Sequence, residues 1–330
     1  MPSLITRTLA TCAAIAALVM APGAVRAADA ADDGSKKLCS IKDPRIGEAS
    51  GLAASRRHPG IVYTFNDSGG SPQVYALGPD CRTRATLTFA GARNRDWEAM
   101  ALGPDGIYVG DIGDNLDGAW PYVTVYRIPE PSRLRSQTLR ATAYRIKYAD
   151  GPRNAETMMI DPRTGRLYIA SKTFGGSLYE GPKKLRTGGF NVMHKVAGAP
   201  FYATDGAFSP DGRTFVIRGY WDAEIYKAPG KKIADVAVPG QKQGEGVTFT
   251  ADGRSLLFGS EGTDQPLWQV PVPASALPPK AKTTTPSDAS GKDHSGGSSS
   301  GSKKGSATTV VLIAAGIVLI AVLFARRRGS

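Results

Sequence analysis

The chain has 330 residues, 41% of them hydrophobic, and a formal net charge of +12. It is too apolar to be disordered throughout and long enough for one large domain with added segments. The charge does not mark a nucleic-acid binder. Arg7 and Arg26 stand near the start, and from Ala276 onward five Lys and three Arg face two Asp, so two-thirds of the excess lies outside the central region.

In chain order, the first segment reads as a secretory signal peptide over residues 1–27. Arg7 precedes an apolar run from Leu9 to Val19, and Val25-Arg26-Ala27 offers small residues at a cleavage site. Cys12 leaves with it. Residues 28–275 follow as an extracellular domain, in which Lys37–Ile41 is a lone strand ahead of a repeated pattern. The repeat is an acidic residue, a short apolar strand, a turn, and two more strands. It opens at Glu48, Glu98, Glu156, Asp205 and Glu245. All-strand repeats at roughly 40–58 residues are the signature of a β-propeller.

The first copy predicts strands at 50–54, 61–65, 74–77 and 85–89; the second at 99–102, 107–109, 123–128 and 141–148. The third has 158–160, 167–170, 177–180 and 190–196, and the fourth 207–209, 214–218, 224–227 and 232–238. The fifth has only 247–250, 255–259 and 267–270. Tight turns at Pro104-Asp105-Gly106, Pro210-Asp211-Gly212 and Ala251-Asp252-Gly253 join first and second strands, since Asp-Gly accepts positive φ. Five blades are expected, or six if the long second repeat hides one. The fifth copy lacks a fourth strand, and Lys37–Ile41 is free to supply it, closing the ring. That closure carries Cys39 toward Cys81, an expected disulfide in an exported domain. Tyr75, Tyr126, Tyr179, Tyr226 and Trp268 recur on third strands as packing between blades.

Residues 276–307 are rich in Ser, Gly, Lys, Thr and Pro and read as a disordered tether. Residues 308–325 carry no charge and span roughly 27 Å as a helix, close to the ~30 Å hydrocarbon core. Arg326-Arg327-Arg328 then fixes a short cytoplasmic tail, 326–330. The expected protein is a single-pass membrane protein, its head outside the cell and monomeric.

First strands begin, and second strands end, on one face of a propeller. The five acids should therefore ring one mouth of the channel, with Asn66, Asp67, Arg95, Asp96, Trp97, Asp111, Asp114, Asn115, Lys172 and Arg218 on its rim. Such a gathering of oxygens suits a hard cation, Ca²⁺ above all. Three histidines, no nucleophile elbow and no phosphate loop leave little for triad or nucleotide chemistry. The function expected is binding of an extracellular ligand or envelope protein, with a Ca²⁺-dependent phosphoesterase or lactonase as the alternative.

The phrases Asn66-Asp67-Ser68-Gly69, Asp96-Trp97-Glu98 and Gly110-Asp111-Ile112-Gly113-Asp114-Asn115 resemble a family of secreted bacterial β-propellers, mostly of unassigned function. More distantly they are similar to phytase-like, SMP-30-like and YncE/NHL-type propellers. The resemblance covers roughly residues 38–273. By resemblance to the phytase-like and lactonase members, it implies a metal role for Glu48, Glu98, Glu156, Asp205 and Glu245. The run of consecutive acids of the phytases and the full ligand set of the lactonases are both missing.

Overall fold

A computed structural model describes residues 34–277, apart from 68 and 117. The expected signal peptide, most of the tether, the membrane helix and the basic tail lie outside the described residues. Among the described residues no helix is long and apolar enough to cross a membrane.

The described chain is all-β. After β1 (Lys36–Ser40) come five groups of strands. The first holds β2 (Ala53–Ala54), β3 (Val62–Phe65), β4 (Gln73–Leu77) and β5 (Thr83–Ala90). The second holds β6 (Trp97–Gly103), β7 (Gly106–Asp111), β8 (Val123–Ile128), β9 (Gln137–Arg140) and β10 (Thr142–Tyr148). The third is β11 (Ala155–Ile160), β12 (Leu167–Ser171), β13 (Ser177–Glu180) and β14 (Phe190–Gly198). The fourth is β15 (Asp205–Phe208), β16 (Phe215–Arg218), β17 (Ala223–Tyr226) and β18 (Lys232–Val236). The fifth is β19 (Gly244–Phe249), β20 (Ser255–Ser260) and β21 (Pro266–Pro271), ending in a 3₁₀ turn, Ala274–Ala276. Within each group, β9 apart, successive strands pair antiparallel, as short strands joined by turns do. In the Asp-Gly turns, Gly212 and Gly253 have φ of 67° and 68°, the left-handed values that this spelling anticipates, and Gly106 has a φ of 152°.

The first strands of the groups touch in a closed cycle: β2 meets β6, β6 meets β11, β11 meets β15, β15 meets β19, and β19 meets β2. Five apolar clusters fill the gaps between neighbouring groups. Tyr63, Phe65 and Phe89 meet Trp97 and Met100 in one, and Tyr108 and Val125 meet Met158 and Ile169 in the next. Met159 and Leu178 meet Phe215 and Tyr226 in the third. Val216 and Ile225 meet Val247 and Phe258 in the fourth, and Leu52 and Leu77 meet Leu257 and Leu267 in the fifth. Each group is apolar on both faces, and no face is left without a partner. Tyr75, Tyr126, Tyr179, Tyr226 and Trp268 all lie in these seams.

β1 pairs antiparallel with β21 and completes the fifth group, Lys37 opposite Trp268 and Cys39 opposite Leu267. Cys39 and Cys81 are disulfide-bonded, with Cα atoms 5.8 Å apart. The long second repeat holds β9, which the sequence reading did not find. β9 leaves its own group to run parallel along β5 of the first. β10 then returns antiparallel to β8 and runs parallel to β14. The second and third groups therefore form one eight-stranded sheet whose end strands, β6 and β11, touch, giving it a nearly closed, barrel-like course. These crossings cover two outer edges that would otherwise expose unpaired backbone.

Candidate functional site

Glu98, Glu156 and Glu245 have identical local origins. In β6 the register slips between Trp97 and Ala99, in β11 between Ala155 and Thr157, and in β19 between Gly244 and Val247. The glutamate is in each case at the bulge. A bulged residue is released from the alternation of the strand and its side chain is re-aimed. The three side chains leave the apolar seams and converge.

Lys172, just past β12, stands among them. Its Nζ is ion-paired with Glu156 and lies 4.9 Å from the ring centre of Tyr220. Burial opposes its charge, yet Glu156, Glu245 and Glu98 together hold its pKa well above the ordinary lysine value. Burial and the Glu156 charge push Glu98 well above the usual carboxylate range. Burial raises Glu156 against the pull of Lys172, and it raises Glu245 in the same way.

Asp67 and Asp96 complete the cluster on the side of the first two groups. Ligand oxygens of Asp67, Asp96 and Glu98 all lie within 4.8 Å of one another, Asp96 and Glu98 buried and Asp67 half-buried. Burial and then the charges of Asp67 and Glu156 raise the Asp96 pKa to about 7. The loop after β7 presses on this trio. A Cβ on Gly113 would stand 2.4 Å from Asp96 Oδ2 and 2.7 Å from Glu98 Cγ, so only glycine fits. Three carboxylates with no nitrogen or sulfur donor among them form a hard, all-oxygen set. They could hold a metal ion.

Sequence reasoning missed Glu261, just past β20. It accepts the Ser50 hydroxyl at 3.1 Å and the side-chain amide of Gln243, which also reaches Glu245 at 3.3 Å. Burial and the Asp67 charge raise its pKa to about 7. A signal was present: Lys172 and Glu261 stand one residue past β12 and β20, and Asp67 one residue past the Asn66–Ala49 bridge that prolongs β3.

Other expected site residues do different work. Glu48 is exposed and has no place in the cluster. The short β2 starts only at Ala53, so no bulge turns Glu48 inward. Asp205 is fully buried in an unbulged strand. Its Oδ1 accepts the N–H of Gly206 at 2.8 Å, and its Oδ2 accepts those of Val247 at 2.8 Å and Leu52 at 3.3 Å. It pins three groups together and spends both oxygens on backbone N–H donors. Trp97 is not on the rim. It has no exposed surface, packs edge-on to Phe89 at 5.5 Å, and donates its ring N–H to the Arg93 carbonyl at 2.8 Å. Arg218 is also fully buried. It donates to the carbonyls of Gly219, Gly246 and Gly259 at 3.0–3.3 Å, and burial lowers its pKa to about 10.

The remaining polar residues shape the loops. Asp111 accepts the N–H groups of Arg95 and Asp96 at 3.2 and 2.7 Å. Asp114 accepts those of Ala119 and Trp120 at 3.2 and 2.9 Å. Asn66 accepts the Glu48 N–H at 3.2 Å, and Asn115 is held by Asn154 at 3.3 Å. Arg95 stacks on Trp120, its guanidinium carbon 3.1 Å from the ring centre.

The other end of the space between the first strands is a cavity that exposes polar as well as apolar surface. Leu52, Met100, Met159 and Phe249 line it, with Arg56 at its edge. In comparisons with known proteins, no family model and no curated protein matches the chain.

Proposed function

We propose that the five strand groups are the blades of a five-bladed β-propeller, and that its acidic mouth is a Ca²⁺-dependent binding site. The signal peptide, tether and apolar helix expected from the sequence support a head held outside the cell on a single membrane span. There it would meet an extracellular ligand or an envelope protein. The cycle of contacts between first strands and the five apolar seams support the propeller reading.

The observation that carries the cation site is the meeting of Asp67, Asp96 and Glu98 within 4.8 Å. Three carboxylates at that spacing repel unless protons or a cation sit among them. A divalent cation neutralises them without costing a proton each, and waters or ligand oxygens fill the rest of the 6–8 positions Ca²⁺ takes. A ligand held through such an ion would bind only when calcium is present.

Calorimetric titration of the full-length protein in nonionic detergent at pH 7.5 tests the site. Binding is expected with a Kd of about 10⁻⁴–10⁻³ M, the range of extracellular calcium modules. Glu98→Gln should weaken it at least about tenfold, and Glu48→Gln should leave it unchanged. Absence of binding at about 10 mM calcium would remove the cation site.

A further inference from the structure

The outer strands of the second and third groups carry a charge opposite to that of the mouth. Residues 131–149 and 181–204 hold nine Lys and Arg and no Asp or Glu, so the remainder of residues 28–275 is net acidic. The fold brings these two acid-free stretches together. β10 and β14 run parallel, with Arg145 beside Phe190 and Lys147 beside Val192. Alternation sends Tyr144, Ile146 and Tyr148 of β10 inward and Arg145 and Lys147 outward. On β14 it sends Asn191 and Met193 inward and Phe190 and Val192 outward.

Asn191 adds a third element. Its side chain is fully buried, donates to the carbonyls of Arg145 at 3.1 Å and Arg186 at 2.9 Å, and accepts the Arg186 N–H at 2.9 Å. It thereby clamps the loop between β13 and β14 against β10, and that loop carries the exposed Lys183, Lys184 and Arg186. Among the described residues none of these five cations is ion-paired. The acids that end the two stretches, Asp150 and Glu180, are paired with Arg153 and Arg166. Like charges gathered without an acid repel one another, and a negatively charged partner relieves that repulsion.

The middle of the patch is apolar. The Phe190 ring centre lies 4.2 Å from Lys147 Nζ, 4.8 Å from Arg145 Cζ and 5.5 Å from the ring of Tyr122. A ring holds a cation in place without cancelling its charge. Tyr122 and Val192 remain 38% and 40% exposed. Apolar side chains framed by cations gain little from a polymer dissolved in water. At a bilayer they enter the headgroup layer while the cations meet lipid phosphates.

We infer that this face of β10, β14 and the loop between β13 and β14 docks on an anionic phospholipid surface. It is a second binding surface on the outer strands, and it depends neither on the carboxylate mouth nor on calcium.

Flotation tests it. The full-length protein, reconstituted in phosphatidylcholine nanodiscs, is mixed in EDTA with vesicles of phosphatidylcholine alone or with about 30% phosphatidylglycerol. Partition onto the anionic vesicles should be at least about tenfold stronger. Arg145→Gln, Lys147→Gln and Lys184→Gln together should reverse most of that gain. Removing as many exposed cations elsewhere, with Lys36→Gln, Lys42→Gln and Lys231→Gln, should change it by no more than about twofold. All six sites are on the surface, so both variants should keep the melting temperature within about 3 °C. Tyr122→Ser with Val192→Ser should weaken partition about three- to tenfold. Equal partition onto both kinds of vesicle would overturn the inference, as would equal losses from the two cation triples. Indifference to Tyr122→Ser with Val192→Ser would mark a site for a dissolved polyanion and overturn the bilayer assignment.

Discussion

Single residues decide which acids form the site. Glu98, Glu156 and Glu245 enter it because each stands at a bulge, whereas Asp205 lies in a regular strand and becomes a staple. Asp205→Asn would set an amide group against backbone N–H donors that now face a carboxylate. Urea denaturation should show a loss of about 1–3 kcal/mol, with calcium affinity little changed. A larger loss of calcium binding than of stability would return Asp205 to the ligand set. Gly113 is the converse case. Gly113→Ala pushes a methyl into Asp96 and Glu98, so calcium affinity should fall at least about tenfold, and overpacking should lower stability in calcium-free buffer by about 1–3 kcal/mol. The sequence spells all five acids alike, and a bulge is a backbone event that no residue type announces. Which of the five acids converge was therefore hidden. Glu261 was hidden for another reason: it follows a second strand, away from the repeat's opening.

At the scale of elements, the second and third strands of each group were legible. They are apolar runs bounded by Asp-Gly turns, and their observed limits differ from expectation by a residue or two. The closing strand β1 was legible by subtraction, since the fifth group lacked a partner. β9 was not. Gln137-Thr138-Leu139-Arg140 offers one apolar side chain, Leu139, which packs on the first seam. Such a strand is defined by the edge it covers more than by its own pattern. The Cys39–Cys81 bond ties β1 to the first group across 42 residues. In the loop-entropy account a closure of that length contributes about 4 kcal/mol. Cys39→Ser should lower the unfolding free energy by a comparable amount in urea. A loss below about 1 kcal/mol would mean that β1 is held by its pairing with β21 and needs no bond.

The whole molecule concentrates acid in one mouth, and its stability must follow pH accordingly. Asp96 and Glu261 have folded pKa values near 7, against ordinary values of 3.8 and 4.5. Between those limits the folded chain binds more protons than the unfolded chain, so stability falls as pH rises. In calcium-free buffer the melting temperature should be higher at pH 5 than at pH 8, and millimolar calcium should recover much of the difference at pH 8. A rise in melting temperature from pH 5 to pH 8 without calcium would show that the carboxyls are not gathered as described. Asp43 acts in the opposite sense, since its hydrogen bond with Arg45 holds its pKa far below the usual range. Its contribution is lost only on strong acidification, below the window in which the mouth titrates.

The pairing of β1 with β21 also sets a timetable. Lys36 lies opposite Gln269, about 230 residues later in the chain. The start of the domain cannot find its place until nearly the whole of it has been made. During synthesis the first strand must wait, unpaired by β21, while four groups assemble behind it. Only as the last strand emerges can the ring shut, so the final step of folding joins the two ends of the chain. A chain cut short anywhere before β21 would thus leave an open row of strands with two sticky edges.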